Sequence, residues 1–108
     1  MKTIESKLRL VTLLLLAGCS PVGNTIEVDA AAAPDAVATL ALCGKETPLQ
    51  RSGRLLMAAF PITCEGHGEV KVRFKDGGRT SCAIGYVTPG AVQDFRFRIR
   101  DGRCDPAA

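Results

Sequence analysis

Two stretches in the C-terminal half alternate polar and apolar side chains without a break: Glu69-Val70-Lys71-Val72-Arg73-Phe74-Lys75 and Asp94-Phe95-Arg96-Phe97-Arg98-Ile99-Arg100. A repeat of two residues is that of a strand buried on one face, whereas a helical face repeats about every 3.6 residues. The chain is therefore committed to β structure here. Val70, Val72, Phe74, Phe95, Phe97 and Ile99 point inward, and the intervening cations point out. Between the two stretches, Asp76-Gly77-Gly78 tolerates positive φ and predicts a hairpin. Arg79 to Val87 is the returning strand. Strict alternation puts Cys82, Ile84 and Tyr86 on the inner face and Ser81, Ala83, Gly85 and Val87 on the outer one. Thr88-Pro89-Gly90 and Asp101-Gly102 are turns, Glu65-Gly66-His67-Gly68 is another, and Asp105 to Ala108 is a short tail.

One sheet cannot bury its own apolar face, so the first half of the domain must cover it. Val37 to Leu42 is apolar and predicts a first, edge strand, and Gly44 to Gly53 is polar and reads as loop. Leu55 to Phe60 suits either a helix capped by Ser52 or a strand buried on both faces. Pro61 ends the run early and Ile62-Thr63-Cys64 follows in strand-like chemistry, which favours the strand. The expected fold is all-β: a small antiparallel meander closing into a sandwich or partly open barrel over residues 37–108.

A domain of this size buries little core and often needs covalent staples. The chain has five cysteines. Cys43, Cys64, Cys82 and Cys104 fall inside the domain at wide intervals, without the close C-x₂₋₄-C pairs of a zinc site. They read as two disulfides. Three connectivities are open and the sequence does not choose among them. Cys43–Cys64 with Cys82–Cys104, each closing a loop of roughly 20 residues, is the preferred expectation.

The fifth cysteine lies elsewhere. Lys2, Lys7 and Arg9 precede the apolar run Leu10 to Ala17, which ends in Leu16-Ala17-Gly18-Cys19. Eight helical residues span only about 12 Å, too short to cross a bilayer but suited to the core of a cleaved signal. Leu16-Ala17-Gly18-Cys19 resembles the lipobox of bacterial membrane lipoproteins. The resemblance covers the first nineteen or twenty residues. It implies a signal peptide over residues 1–18, a lipid thioether on Cys19 and cleavage just before it. Ser20 follows the cysteine where Asp would retain the protein at the inner membrane. By resemblance, the chain is then exported to the outer membrane and faces the periplasm. Lipidation of Cys19 also removes the odd cysteine from the disulfide count.

Residues 19–36 contain Pro21, Gly23, Asn24, Pro34 and the run Ala30–Ala33, with little to bury, and read as the lipidated cysteine and a flexible linker. Glu27, Asp29 and Asp35 make it acidic, while the part from Cys43 onward has a net charge of +4.

In a meander the outward residues would form two cationic ridges. Lys71, Arg73 and Lys75 lie on one strand, and Arg96, Arg98 and Arg100 on another, with a floor of Ser81, Ala83 and Gly85 between them. Such a surface could bind an acidic protein partner or an anionic envelope glycan or lipopolysaccharide, since guanidinium grips carboxylate or phosphate with paired hydrogen bonds. It also suits a solvated sheet face. No aromatic residues interleave the cations as nucleic-acid stacking would require. His67 is the only histidine, flanked by Glu65 and Glu69, and without a second ligand cluster. No serine sits in a nucleophile motif, and paired cysteines cannot be resting thiolates. No catalytic residue, metal site or small-molecule cofactor is assigned. The expectation is a non-catalytic binding or accessory module, joined to the membrane by lipid.

Overall fold

The computed structural model describes residues 23–107. Nine strands follow one another: β1 (Asn24–Asp29), β2 (Val37–Leu42), β3 (Lys45–Pro48), β4 (Gln50–Ser52), β5 (Leu55–Phe60), β6 (Gly66–Arg73), β7 (Arg79–Val87), β8 (Asp94–Arg100) and β9 (Arg103–Pro106). They form a five-stranded sheet, β4-β5-β1-β8-β9, and a four-stranded sheet, β3-β2-β6-β7. Ile26 and Val28 of β1, Leu56 of β5, and Phe97 and Ile99 of β8 bury against Leu40, Val70, Val72 and Cys82 of the other sheet. The all-β expectation and strand β5 are as the sequence indicates.

The two sheets close on each other along both sides. On one side, Leu49 alone separates β3 from β4, and its N–H donates to the Ala38 carbonyl at 2.9 Å. The chain thus passes from one sheet to the other within a single bent strand. On the other side, the sheet edges β7 and β9 are not strand-paired. Cys82–Cys104 bridges them, with Cα atoms 5.2 Å apart. Cys43–Cys64 joins the β2–β3 turn to the segment entering β6. Both pairs are the preferred ones. Cys43 and Gly44 both have positive φ, 58° and 69°, as the two central residues of a primed hairpin turn require.

Several sequence expectations change. The segment expected to be a linker over residues 19–36 contains a strand. Asn24–Asp29 is a central strand, antiparallel to β5 and parallel to β8. Ile26, Val28 and Ala30 are fully buried. Pro21, Gly23, Pro34 and the alanines hid the short alternation of Asn24, Ile26 and Val28, which only flanking strands can stabilise. Cys19 and residues 1–18 lie outside the described residues.

The meander breaks after β7. β8 leaves for the other sheet, so β7 and β8 are not neighbours. Nor is β2 an edge, because β3 covers it, and β3 and β4 lie in the segment expected to be loop. Three-residue and four-residue strands rich in polar groups carry almost no hydrophobic period. β9 likewise takes up Asp105 and Pro106, half of the expected tail.

Gly66, His67 and Gly68 are strand, not turn. Their pairing with β7 shifts at Glu69, which faces Ala83 while Gly68 faces Gly85, leaving Ile84 as an extra residue. Gly85 sits at φ 89° in this bulge. One inserted residue inverts the alternation beyond it. Tyr86 is therefore exposed and Val87 buried, the reverse of the expected faces.

Asn24 is the one buried polar residue among those described. Its Nδ2 donates to the Phe60 carbonyl at 3.4 Å, and its Oδ1 accepts from the Gln93 N–H at 2.6 Å. The amide thus ties the start of β1 to the end of β5 and the approach to β8. Asn24→Ala leaves the Gln93 N–H without this acceptor and is expected to cost about 1–3 kcal/mol, read as a lower urea midpoint.

Candidate functional site

Six cations were singled out from the sequence, and the fold divides them. β6 and β8 belong to different sheets, so their outer faces look away from each other on opposite sides of the sandwich. The two ridges and the floor between them therefore do not exist as one surface.

On the five-stranded sheet, Arg96, Arg98 and Arg100 are exposed; Arg96 and Arg98 have carboxylates in register beside them, whereas Arg100 forms a like-charged rung with Arg103. Arg96 faces Glu27 of β1, with Nε 3.8 Å from Oε2. Arg98 is in register with Asp29 on one side and Asp105 on the other. Arg100 stands opposite Arg103 beside the Asp101-Gly102 turn. Cross-strand pairing of opposite charges is the ordinary stabilisation of a wet sheet face.

The outer face of the four-stranded sheet also carries a like-charged rung, and here an open trough runs beside it. Its rungs follow from the register: Val37, Arg73 and Arg79; then Pro48, Thr39, Lys71 and Ser81; then Glu46, Ala41, Glu69 and Ala83; then His67 and Tyr86. Lys71 Nζ is held 3.1 Å from Glu46 Oε2. Lys75 lies past β6 in the hairpin turn, with Nζ 3.9 Å from Asp35 Oδ2. Arg73 and Arg79 face each other directly, both exposed, and neither forms an ion pair with a described carboxylate. An open trough of about 690 Å³ runs over these rungs, lined by Val37, Thr39, Glu46, Glu69, Lys71, Arg73, Arg79 and Ser81 among others.

Like charges directly opposite on a sheet are mildly destabilising. An incoming carboxylate or phosphate relieves the repulsion and offers each guanidinium a two-point contact. The Ser81 and Thr39 hydroxyls on the next rung can add hydrogen bonds to such a group. Arg79 was missed in the sequence, although it shares the parity of Ser81 and was therefore legible as outward-facing. Thr39 and Glu46 could be placed only once β2 and β3 were known to pair beside β6.

At the other end of this face, His67 lies against Tyr86, ring centroids 5.5 Å apart and edge to face. The Tyr86 hydroxyl donates to Glu65 Oε1 at 2.8 Å, and this hydrogen bond raises the phenol's pKa. The hollow beside His67, about 570 Å³, is open and includes Glu46, Glu69 and Lys45 in its wall. Among the described residues no three His, Cys, Asp or Glu side chains converge as a metal site would need.

No family model matches the chain, and no curated protein or solved structure is significantly similar to it.

Proposed function

We propose that this chain is a lipid-anchored protein of the bacterial envelope that works by binding, and that it meets an acidic patch of a protein partner through the outer face of the four-stranded sheet. The observation that carries the binding face is the Arg73–Arg79 rung, two arginines opposite in register, neither ion-paired with a described carboxylate, beside a trough also lined by Thr39 and Ser81. The envelope location is supported by cysteine arithmetic. Two disulfides account for four of the five cysteines, and the fifth is Cys19 of the lipobox-like sequence. Stable disulfides belong to an oxidising compartment. A protein partner fits better than a polyanionic glycan, because the cations form no continuous track. They are divided between opposite faces, and Lys71, Lys75 and Arg96 already have carboxylates nearby.

A photo-crosslinking side chain at Ser81 in intact cells tests the face. A discrete protein adduct is expected, and Arg73→Glu with Arg79→Glu should abolish it. Arg98→Glu with Arg100→Glu, on the opposite face, should leave it in place. An adduct that survives the first pair of reversals overturns the assignment of the face. Capture of glycan and no protein would replace the protein partner with the polysaccharide. Palmitate incorporation by the wild type and its loss in Cys19→Ala tests the anchor.

A further inference from the structure

We infer that one loop end of the sandwich, carrying Val92 and Tyr86, lies against the lipid headgroups of the membrane that anchors the chain, leaving the Arg73–Arg79 rung at the far end. This orientation rests on the lipid-anchor reading and adds a surface to it.

The first support is distance. β1 begins at Asn24, so only Ser20 to Gly23 separate the fold from Cys19. Five residue steps span at most about 18 Å when fully extended. The entry point is also fixed. Asn24 is clamped to Phe60 and Gln93 through its side chain. The Thr25 N–H donates to the Gln93 carbonyl at 3.3 Å, and the Thr25 hydroxyl to Asp94 Oδ1 at 2.6 Å. The chain therefore enters the sandwich directly beside Val92.

The second support is what that end displays. Among the described residues three large apolar side chains are strongly exposed: Val37 at 51%, Tyr86 at 57% and Val92 at 61%. Tyr86 lies at the entry end, just before a loop, Thr88 to Gln93, that contains Val92 and carries no charge. The connection from β5 to β6 at the same end, residues 61–65, carries a single charge, Glu65, which accepts from the Tyr86 hydroxyl, and the β2–β3 turn tied to it through Cys43–Cys64 leads into Lys45. The turns at the opposite end contain Asp35, Arg54, Lys75, Asp76 and Asp101. Tyrosine with an apolar ring and a hydrated hydroxyl is suited to a membrane interface. The uncharged Thr88–Gln93 loop can approach the acyl boundary without burying an ion.

The face described above runs along the strands from this rim outward. His67 lies near the rim, and Arg73 is six residues further along β6, about 20 Å at strand spacing. The guanidinium pair thus stands clear of the headgroups, where a partner can reach it.

The chain has no tryptophan, so single substitutions report cleanly. Val92→Trp marks the inferred rim, Lys75→Trp the far end, and Ser81→Trp the side of the sandwich. Each full-length lipidated protein is reconstituted into phosphatidylethanolamine–phosphatidylglycerol vesicles containing brominated acyl chains, and vesicle attachment is verified by flotation. Fluorescence quenching in Val92→Trp is expected to exceed that in Lys75→Trp and Ser81→Trp several-fold. Equal or stronger quenching at either comparison site in floating protein overturns the orientation while leaving the anchor intact. The absence of quenching at all three sites in floating protein overturns the contact. Failure to float removes the anchor and the orientation together.

Discussion

Val28→Asp is expected to unfold the domain at room temperature. Val28 is fully buried and lies in β1, with Leu56 opposite it on β5 and Phe97 opposite it on β8. An ionised carboxylate there would have no cationic partner on the core side. Burying it costs several kcal/mol, comparable with the total stability of a domain of this size. Far-UV circular dichroism should lose its strand signature, and Phe97→Asp should do the same. Glu27→Gln, one residue earlier on the opposite face, removes only a half-exposed contact to Arg96 and should cost well under 1 kcal/mol. The comparison is decisive because a flexible linker tolerates charge at any position. A folded Val28→Asp protein with an unchanged urea midpoint would remove β1 from the sheet. It would also lengthen the tether on which the membrane orientation depends.

The second large effect concerns the staples, and the two should not be equal. Their loops are almost the same length, with separations of 21 and 22 residues, so chain entropy assigns about 3 kcal/mol to each. Their surroundings differ. Cys82 is fully buried in the core, whereas Cys43 and Cys64 are only partly buried. Cys82–Cys104 also spans the side of the sandwich where β7 and β9 lack strand pairing. Replacing Cys82 and Cys104 with Ala therefore adds a core vacancy to the lost loop closure and frees the β7–β9 seam. The expected loss is about 4 kcal/mol, against about 3 kcal/mol for the Cys43 and Cys64 pair. Urea midpoints measure the difference, and hydrogen exchange should speed first in β9 and the adjoining half of β7. Equal losses from the two pairs would mean that the seam is held by packing without need of its disulfide.

Where a residue alternation was long, the sequence sufficed. β8 shows three apolar residues at period two, and β6 shows two with Phe74 just past its end; their inward sets agree with the structure. The alternation also carried the correct outward placement of Lys71, Arg73, Arg96, Arg98 and Arg100. It could not say whether those outward faces belonged to the same sheet, because strand order is a long-range property. The candidate site suffered most from this. Its central pair needed Arg79 opposite Arg73, and its walls needed β2 and β3, which short polar segments conceal. The bulge at Ile84 and Gly85 is an intermediate case. Glycine inside a strand pattern signals a bulge, but only the register with Gly68 and Glu69 shows where alternation inverts and why Tyr86 is outside.

By itself the sequence determined that the domain is β, that its size calls for covalent staples, and which faces of its longest strands are apolar. These follow from local periodicity and composition, which act within a few residues. Tertiary structure alone decided that Asn24–Asp29 is the centre of a sheet, that β8 crosses away from β7, and that the cations stand on opposite faces. Those outcomes depend on which distant segments bury one another, as β1 does between β5 and β8, and no short stretch of chain contains that energy.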